Sequence, residues 1–406
     1  MPGLHETHAF FAVSPPGLES LLADEIEGNG FGRGRILPGG VEWEGPIGEA
    51  LGANLRLRLP NRVLVRFARF HAASFPDLFR AAARLPWPDW LPADAQVRFR
   101  VTSHRSRLYH TGAIAERLAD GLLRRLPGVT FQASARAEGD DPATGPGAAD
   151  EAAAGEASTG QLVVVRLERD EVLVSLDTSG DLLSRRGYRQ ATAKAPLREN
   201  LAAALLAAAG WRGEGVLIDP FCGAGTIAIE AAEIALGLQP GRNRSFACER
   251  WPALAKVGAR SNPEPQRGEP VFRVLASDRA QGALDALIGN AERAGVRDVL
   301  EIERADFLVR TPPAQQGFVV TNPPYGVRVR AAGGGKADPL ASRLRQAWAG
   351  WRTALLVPSA SPGWARAVSS AGPLGRVFKT RNGGLDVALR AGTVAPHGPG
   401  SRKRSP

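Results

Sequence analysis

Val319-Val-Thr-Asn-Pro-Pro-Tyr325 runs a β-branched stretch into an amide, two prolines and a phenol. The run itself reads as a strand, and the prolines fix φ and remove two backbone donors just past its end. What is left at the tip is a rigid pair of acceptors, the Asn322 side-chain oxygen and the Pro323 carbonyl, braced by Pro324. Two acceptors suit an exocyclic amino group: both N–H bonds can be held while the nitrogen lone pair is turned toward an electrophile. Tyr325 offers a face on which the planar ring carrying that amine can stack. Taken alone, the tetrapeptide fits adenine, guanine or a glutamine amide, and also a Pro-Pro turn that does no more than end a strand.

Three other strand endings bear on the choice. Asp219-Pro-Phe-Cys-Gly-Ala-Gly225 closes the run VLIDP with an acid and a glycine turn. Gly223 and Gly225 permit a tight turn and close approach of a ligand to the backbone. Neither a third glycine nor a Gly-Lys-Ser/Thr follows, so a nucleotide phosphate loop is not specified. Asp219 would repel a pyrophosphate and suits the positive end of S-adenosyl-L-methionine, with Pro220 fixing the start of the turn. FRVLASD ends in Asp278, a carboxylate able to accept both hydroxyls of a ribose. LEIERADF ends in Asp306 and Phe307, an acceptor for an adenine amino group beside an apolar face for its ring. Each acid alone reads more readily as a solvated helix cap, but three acids at three consecutive tips of one sheet form a pattern. With a sulfonium as the electrophile no base has to act before attack, because the proton can leave after transfer.

The elements that hold these tips alternate. Strands at 216–220, 272–278, 300–307, 317–325 and 353–358 are separated by helices at 226–236, 280–295 and about 338–350. Short apolar strands alternating with helices predict a parallel, doubly wound α/β sheet, and such sheets bind ligands at the carboxyl ends of their strands. The first half differs. A strand, a Ser-Pro-Pro-Gly turn and a helix with Leu18, Leu21, Leu22 and Ile26 on one face are followed by an alternating strand GGVEWEG and a helix-to-strand stretch at 53–70. After these come a helix at 76–85, a strand at 96–103, a helix at 112–126 and a hairpin over 162–180 turning near Arg169 and Asp170. This mixture predicts one or two small α+β modules, joined to the second half by the basic connector SRRGYRQATAKAP.

The net charge is +10, and the basic residues are almost all arginine. A polyanionic partner fits, although an Arg/Ala/Gly/Pro-rich composition would give the same sum. Residues 134–160 hold one arginine against six acids, which leaves +15 on the remainder. This segment lacks periodicity and large apolar residues and reads as a disordered acidic loop. No run of eighteen apolar residues occurs and the N-terminus has no signal-peptide pattern, so a cytoplasmic protein without a membrane span is expected. Cys222 and Cys248 exclude a disulfide framework and a Cys-based zinc cluster, and no metal or obligate protein partner is called for.

The four tips together resemble the S-adenosylmethionine-dependent amino-methyltransferases, which share an acidic glycine-rich first motif and an Asn-Pro-Pro-Tyr fourth motif. The stretches SLDTSGDLLSRRGYRQATAKAPLRENLAAALLAAAGW, PGRNRSFACERW and FKTRNGGLDVALRAG resemble the THUMP-containing branch that makes N2-methylguanine in bacterial 23S ribosomal RNA. FAVSPPGLESLLADEI and GGVEWEG resemble that family's N-terminal region. The resemblance implies an α/β chain with a ferredoxin-like region at 1–55, a THUMP α+β domain at 56–182, a Rossmann-like class I methyltransferase domain at 183–395 and a disordered basic tail at 396–406. It further implies that Asp219, Pro220, Gly223 and Gly225 line the methionine end of the cofactor, Asp278 its ribose, and Asp306 with Phe307 its adenine. Asn322, Pro323, Pro324 and Tyr325 would receive the target base. The family commonly carries Lys-Glu-Thr where this chain has Arg198-Glu199-Asn200, which bears on contacts beside the cofactor. One methyltransferase module is covered, so a single methylation is expected.

RNA contacts are expected from Arg105 and Arg107 in TSHRSRLYHTG and from Arg185, Arg186 and Arg189 in the connector. The implied substrate is 23S ribosomal RNA, with transfer RNA as the alternative. A DNA adenine-N6 or protein glutamine-N5 methyltransferase would use the same tip, but the N-terminal half argues against both. An RNA-binding assembly factor that keeps the fold without the activity is a reading from another class.

Overall fold

The computed structural model describes residues 7–132, 160–189, 197–255, 271–325, 337–382 and 384–395. Residues 134–159 of the acidic loop and the tail 396–406, both expected to be disordered, lie outside these. Contacts divide the chain into two compact units: residues up to Ser184 together with the stretch from Pro240, and Arg185–Gln239 together with the remainder.

In the first unit, strands β1 (Thr7–Val13), β2 (Arg35–Leu37), β3 (Gly40–Pro46), β4 (Arg62–His71), β5 (Gln96–His104), β6 (Thr130–Phe131), β7 (Gln161–Glu168) and β8 (Glu171–Asp177) form one sheet in the order β2-β3-β1-β4-β8-β7-β5-β6. The two halves of this sheet, β2-β3-β1-β4 and β8-β7-β5-β6, are continuous, joined where β4 pairs antiparallel with β8. Both faces of β1 are buried past its first residues: Phe10 stacks on Trp43 of β3 at 5.2 Å with Ala12 on the same face, and Phe11 and Val13 pack with Leu64 on the other. The helix Glu19–Gly28 supplies Leu22 and Ile26 to that core, and Leu18 just before it is buried as well, while Leu21 is only half-buried. The β7–β8 hairpin turns on Arg169 and Asp170, both left-handed at φ +52° and +65°. Two positive φ values in a two-residue loop match the twist of the flanking strands.

The stretch 240–255 follows a helix of the second unit in sequence but packs within the first. The Trp251 indole donates to Gln161 Oε1 at 2.8 Å, the Cys248 amide to the Thr178 carbonyl at 3.1 Å, and Arg244 to the carbonyls of Ser179, Asp181 and Leu182. Arginine fits that place because its fork can satisfy several carbonyls that end a strand.

The second unit holds β9 (Gly215–Asp219), β10 (Phe272–Asp278), β11 (Leu300–Arg304), β12 (Phe318–Thr321), β13 (Arg352–Pro358), β14 (Gly375–Asn382) and β15 (Leu385–Thr393) in the order β11-β10-β9-β12-β13-β15-β14. The first five are parallel, as the alternation predicts, and the antiparallel hairpin β14–β15 makes the edge mixed. The order reverses between β9 and its two neighbours β10 and β12, which places a topological switch point there. β12 stops at Thr321, short of the expected 325, because the prolines beyond it have no N–H to give to a ladder. Among the described residues, no helix is long and apolar enough to cross a membrane.

Candidate active site at the strand tips

Across the carboxyl edge of the parallel strands, the polar residues fall in a fixed order. Asp306 lies just past β11, Asp278 ends β10, Asp219 ends β9 and Asn322 follows β12. Adjacent strands are about 4.8 Å apart, so the four positions span the length of a nucleoside joined to an amino acid. All four sequence-predicted tips are thus brought to one edge by the topology.

Asp219 is buried, and its Oδ1 accepts from the Thr321 hydroxyl at 2.7 Å and from the Phe221 amide at 3.4 Å. Neither donor carries a charge. Burial, together with the negative charge of Asp278, pushes the Asp219 carboxyl up to about 7 against the pull of these two hydrogen bonds. A buried carboxylate with no cation beside it among the described residues, next to a glycine turn, is a place where a cationic group would be stabilised. The bond from Thr321 ties the tip of β12 to that of β9; sequence reasoning missed this residue, whose only signal was its place directly before Asn322.

The turn after Asp219 is shaped by its glycines. Gly225 has φ +86° and its missing Cβ is occupied by Leu287, so no other residue fits there. Gly223, at φ +51°, donates its amide to Asp278 Oδ2 at 3.1 Å. Asp278 also accepts from the Ala280 amide at 2.9 Å, which fixes the carboxylate at the tip while leaving lone pairs for further donors. Asp306 accepts from the Leu308 amide at 3.0 Å and lies 3.5 Å from Arg279.

Phe307 departs from its expected role. It is 1% exposed, packed at 5.0 Å on Trp348 and at 6.0 Å on Phe221 in the core beneath the edge. An apolar ring following a strand is drawn into the largest nearby hydrophobic cluster, so it supports the pocket floor and presents no open face to a base.

At the fourth tip Asn322 is half-buried, Pro323 buried and Pro324 exposed. The Tyr325 hydroxyl donates to Asn322 Oδ1, and the ring meets Trp364 edge-on at 6.5 Å. Burial raises the Tyr325 phenol, which keeps it a donor at neutral pH. Both cysteines are buried with their thiols pushed up by burial, so neither is a thiolate nucleophile.

Two of the three connector arginines are held within the second unit and are not the open RNA contacts that their spacing suggested. Arg186 is 3% exposed and pairs with Glu230 at 3.0 Å. Burial opposes its charge, but Glu230, Glu199 and Glu233 outweigh that and raise its pKa. Arg189 bridges the Leu197 carbonyl at 3.0 Å, the Thr226 hydroxyl at 2.7 Å and Glu199 at 3.1 Å. It therefore sits at the first turn of the helix Thr226–Ala235, directly after the glycine turn. Arg185 is half-buried. Arg105 and Arg107, in the first unit, are exposed as expected.

Three family models match the chain: the RlmL ferredoxin-like domain over residues 9–64, the THUMP domain over 72–134, and the RMKL-like methyltransferase domain over 186–347. The chain is 32% identical over 413 residues to the ribosomal RNA large subunit methyltransferase K/L of Methylococcus capsulatus, covering 96% of this chain and 52% of that protein. It thus spans about half the length of that relative. It is 30% identical over 326 residues to the putative RNA methyltransferase YpsC of Bacillus subtilis, covering 79% of this chain and 80% of that one. A possible methylase from Clostridium difficile 630 has a crystal structure that superposes with a TM-score of 0.74 at 25% identity, over 98% of this chain and 100% of that chain.

Proposed function

Because the chain belongs to the RMKL-like methyltransferase family with ferredoxin-like and THUMP domains, we propose that it transfers a methyl group from S-adenosyl-L-methionine to the N2 amine of a guanine in RNA, with 23S ribosomal RNA as the favoured substrate. The observation that carries this reading is the order Asp306, Asp278, Asp219, Asn322 along one sheet edge. That order follows the parts of the cofactor from adenine through ribose to methionine, and then the base. When bound, the cofactor supplies an electrophilic methyl on a sulfonium.

The residues present fit that group. Among the described residues Asp219 has no cationic partner, and a sulfonium or ammonium beside it would draw it into the ionised form. Asp278 has its orientation fixed by two backbone amides and accepts ribose hydroxyls with its remaining lone pairs. Arg189, bound to Glu199 and to the Thr226 hydroxyl at the first turn after the glycines, would lie beside the amino-acid end. At the base site, the Tyr325 hydroxyl stands where one N–H of the target amine would donate to Asn322. The amine displaces that hydroxyl, the Pro323 carbonyl takes the second N–H, and the Tyr325 ring, released, stacks on the base. Holding both N–H bonds directs the lone pair toward the methyl group, and the proton is lost afterwards to solvent.

The test is methyl labelling of large-subunit ribosomal RNA and of transfer RNA by purified protein. Asn322→Ala is expected to lose on the order of a hundredfold in labelling rate while cofactor binding is kept. Unchanged labelling would remove Asn322 from the site. Labelling of transfer RNA alone would replace the substrate.

A further inference from the structure

The loop between β5 and the helix Thr111–Leu123 presents an aromatic side chain that no core explains. Tyr109 is 70% exposed, and its ring lies 4.5 Å from that of His110 at an interplanar angle of 36°. A large ring left in water beside a second ring is a stacking surface without a protein partner.

The loop that carries it is built rigidly. Leu108 is buried and anchors the segment, and its carbonyl accepts from the Ser103 hydroxyl at 2.6 Å. The adjoining β7–β8 turn clamps the other side: the Arg107 amide donates to Asp170 Oδ1 at 2.7 Å, and the Asp170 amide donates to the Ser106 hydroxyl at 3.0 Å. Arg105, Arg169 and Asp170 are the three non-glycine residues with left-handed φ among those described, and all three lie in these two abutting loops. Strain of that kind persists where the surroundings over-determine it, and it gathers at functional sites.

The surroundings are basic. Arg105, Arg107 and Arg169 are all exposed; Asp170 is occupied by the Arg107 amide and a 3.7 Å approach of the Arg107 guanidinium, and the acids flanking the turn, Glu168 and Glu171, pair with Arg166 at 2.9 Å and His71 at 3.4 Å. An exposed ring flanked by guanidinium groups on a fixed loop matches an unpaired base with the phosphates on either side of it. A duplex buries its bases in the stack and offers only phosphates to the same patch.

We infer that Tyr109, backed by His110 and flanked by Arg105, Arg107 and Arg169, is a stacking site for an unpaired base of the RNA substrate. It anchors single-stranded or looped RNA on the first unit, separately from the methyl-transfer site. The inference rests on the reading of the substrate as RNA.

The full chain and its Tyr109→Ala and Tyr109→Trp variants are titrated against two fluorescent probes at low salt. One is an RNA hairpin with an adenosine-rich loop, the other a blunt RNA duplex of the same stem. Tyr109→Ala is expected to bind the hairpin about tenfold more weakly and the duplex as the unmodified chain does, with Tyr109→Trp restoring the hairpin. An unchanged melting temperature confirms that an exposed ring has been removed without loss of fold. Equal binding of the hairpin by Tyr109→Ala and the unmodified chain would overturn the inference, as would equal losses on hairpin and duplex. If the unmodified chain binds neither probe, the RNA reading fails first, and the two failures stay distinct.

Discussion

Two groups of arginines look alike in the sequence and behave oppositely in the fold. Arg185, Arg186 and Arg189 lie within SRRGYR, and Arg105 and Arg107 lie within HRSR. In the first group, Arg186 is buried against Glu230, and Arg189 is tied to Glu199, Thr226 and a carbonyl. In the second, both side chains stand in solvent on a loop whose backbone is fixed by Asp170 and Ser106. The partners decide the difference. The helices Glu199–Ala209 and Thr226–Ala235 carry Glu199, Glu230 and Glu233 on buried positions, and three interior carboxylates require cations. Among the described residues, the loop of the first unit packs against no such cluster.

The sharpest way to break the comparison is to remove one buried cation. Arg186→Met is expected to destabilise the protein by about 3–5 kcal/mol, because Glu230 would lose the buried cation it pairs with. The double variant Arg186→Met, Glu230→Met should recover most of that loss, since two apolar side chains can replace the pair. Urea unfolding measures both. A loss below about 1 kcal/mol for the single variant would place Arg186 among the exposed arginines after all.

Asp219 tests the same principle with the sign reversed, as a buried acid with no cation beside it among the described residues. Its native carboxyl titrates near 7, above the ordinary value of 3.8. Between those two values the native state holds a proton that the unfolded chain has lost, so its contribution to stability falls as pH rises from about 4 to about 7. The fall is on the order of a few kcal/mol. Asp219→Asn should flatten that part of the stability profile measured against the unmodified chain. A bound cation favours the ionised form, so affinity for S-adenosyl-L-methionine should rise with pH up to about 7 in the unmodified chain and lose this dependence in the variant.

These two cases show which parts of the site could be read in advance. The acids at the strand tips were legible because strand, acid and glycine turn are adjacent in sequence, and a doubly wound sheet has one place where such tips gather. Thr321 and Arg189 were not, since each acts across a gap set by the fold: Thr321 on Asp219 from the neighbouring strand, Arg189 on Glu199 and Thr226. Phe307 was read as an open ring because sequence shows an apolar residue at a tip but not Trp348 beneath it. Most of the strand rhythm was legible from periodicity, but the hairpin β14–β15 and the short strands β2 and β6 were not. The joining of the first unit's strands into one sheet through β4 and β8 was not, as no local pattern encodes which edges pair.

Arg189 lies between the extremes and sharpens the contrast. Arg189→Met removes hydrogen bonds to Leu197 and Thr226 and the pair with Glu199. A stability loss of about 1–3 kcal/mol is expected, less than for Arg186 because water reaches the Arg189 head. Affinity for the cofactor should fall while affinity for RNA stays the same. The opposite split would return Arg189 to the RNA surface.

The smallest effects belong to the exposed pair. Arg105→Ala and Arg107→Ala should each change stability by less than about 0.5 kcal/mol, because nothing buried depends on either side chain. What each should change is salt dependence. If both guanidinium groups neutralise phosphates, each substitution lowers the slope of log affinity against log salt by about one, and the double variant by about two. The weakening should be the same for hairpin and duplex, since both present phosphates. That uniformity separates these arginines from Tyr109, whose removal should leave the salt slope alone and affect only RNA with an unpaired base. A salt slope unchanged in the double variant would mean that exposure by itself had been mistaken for function.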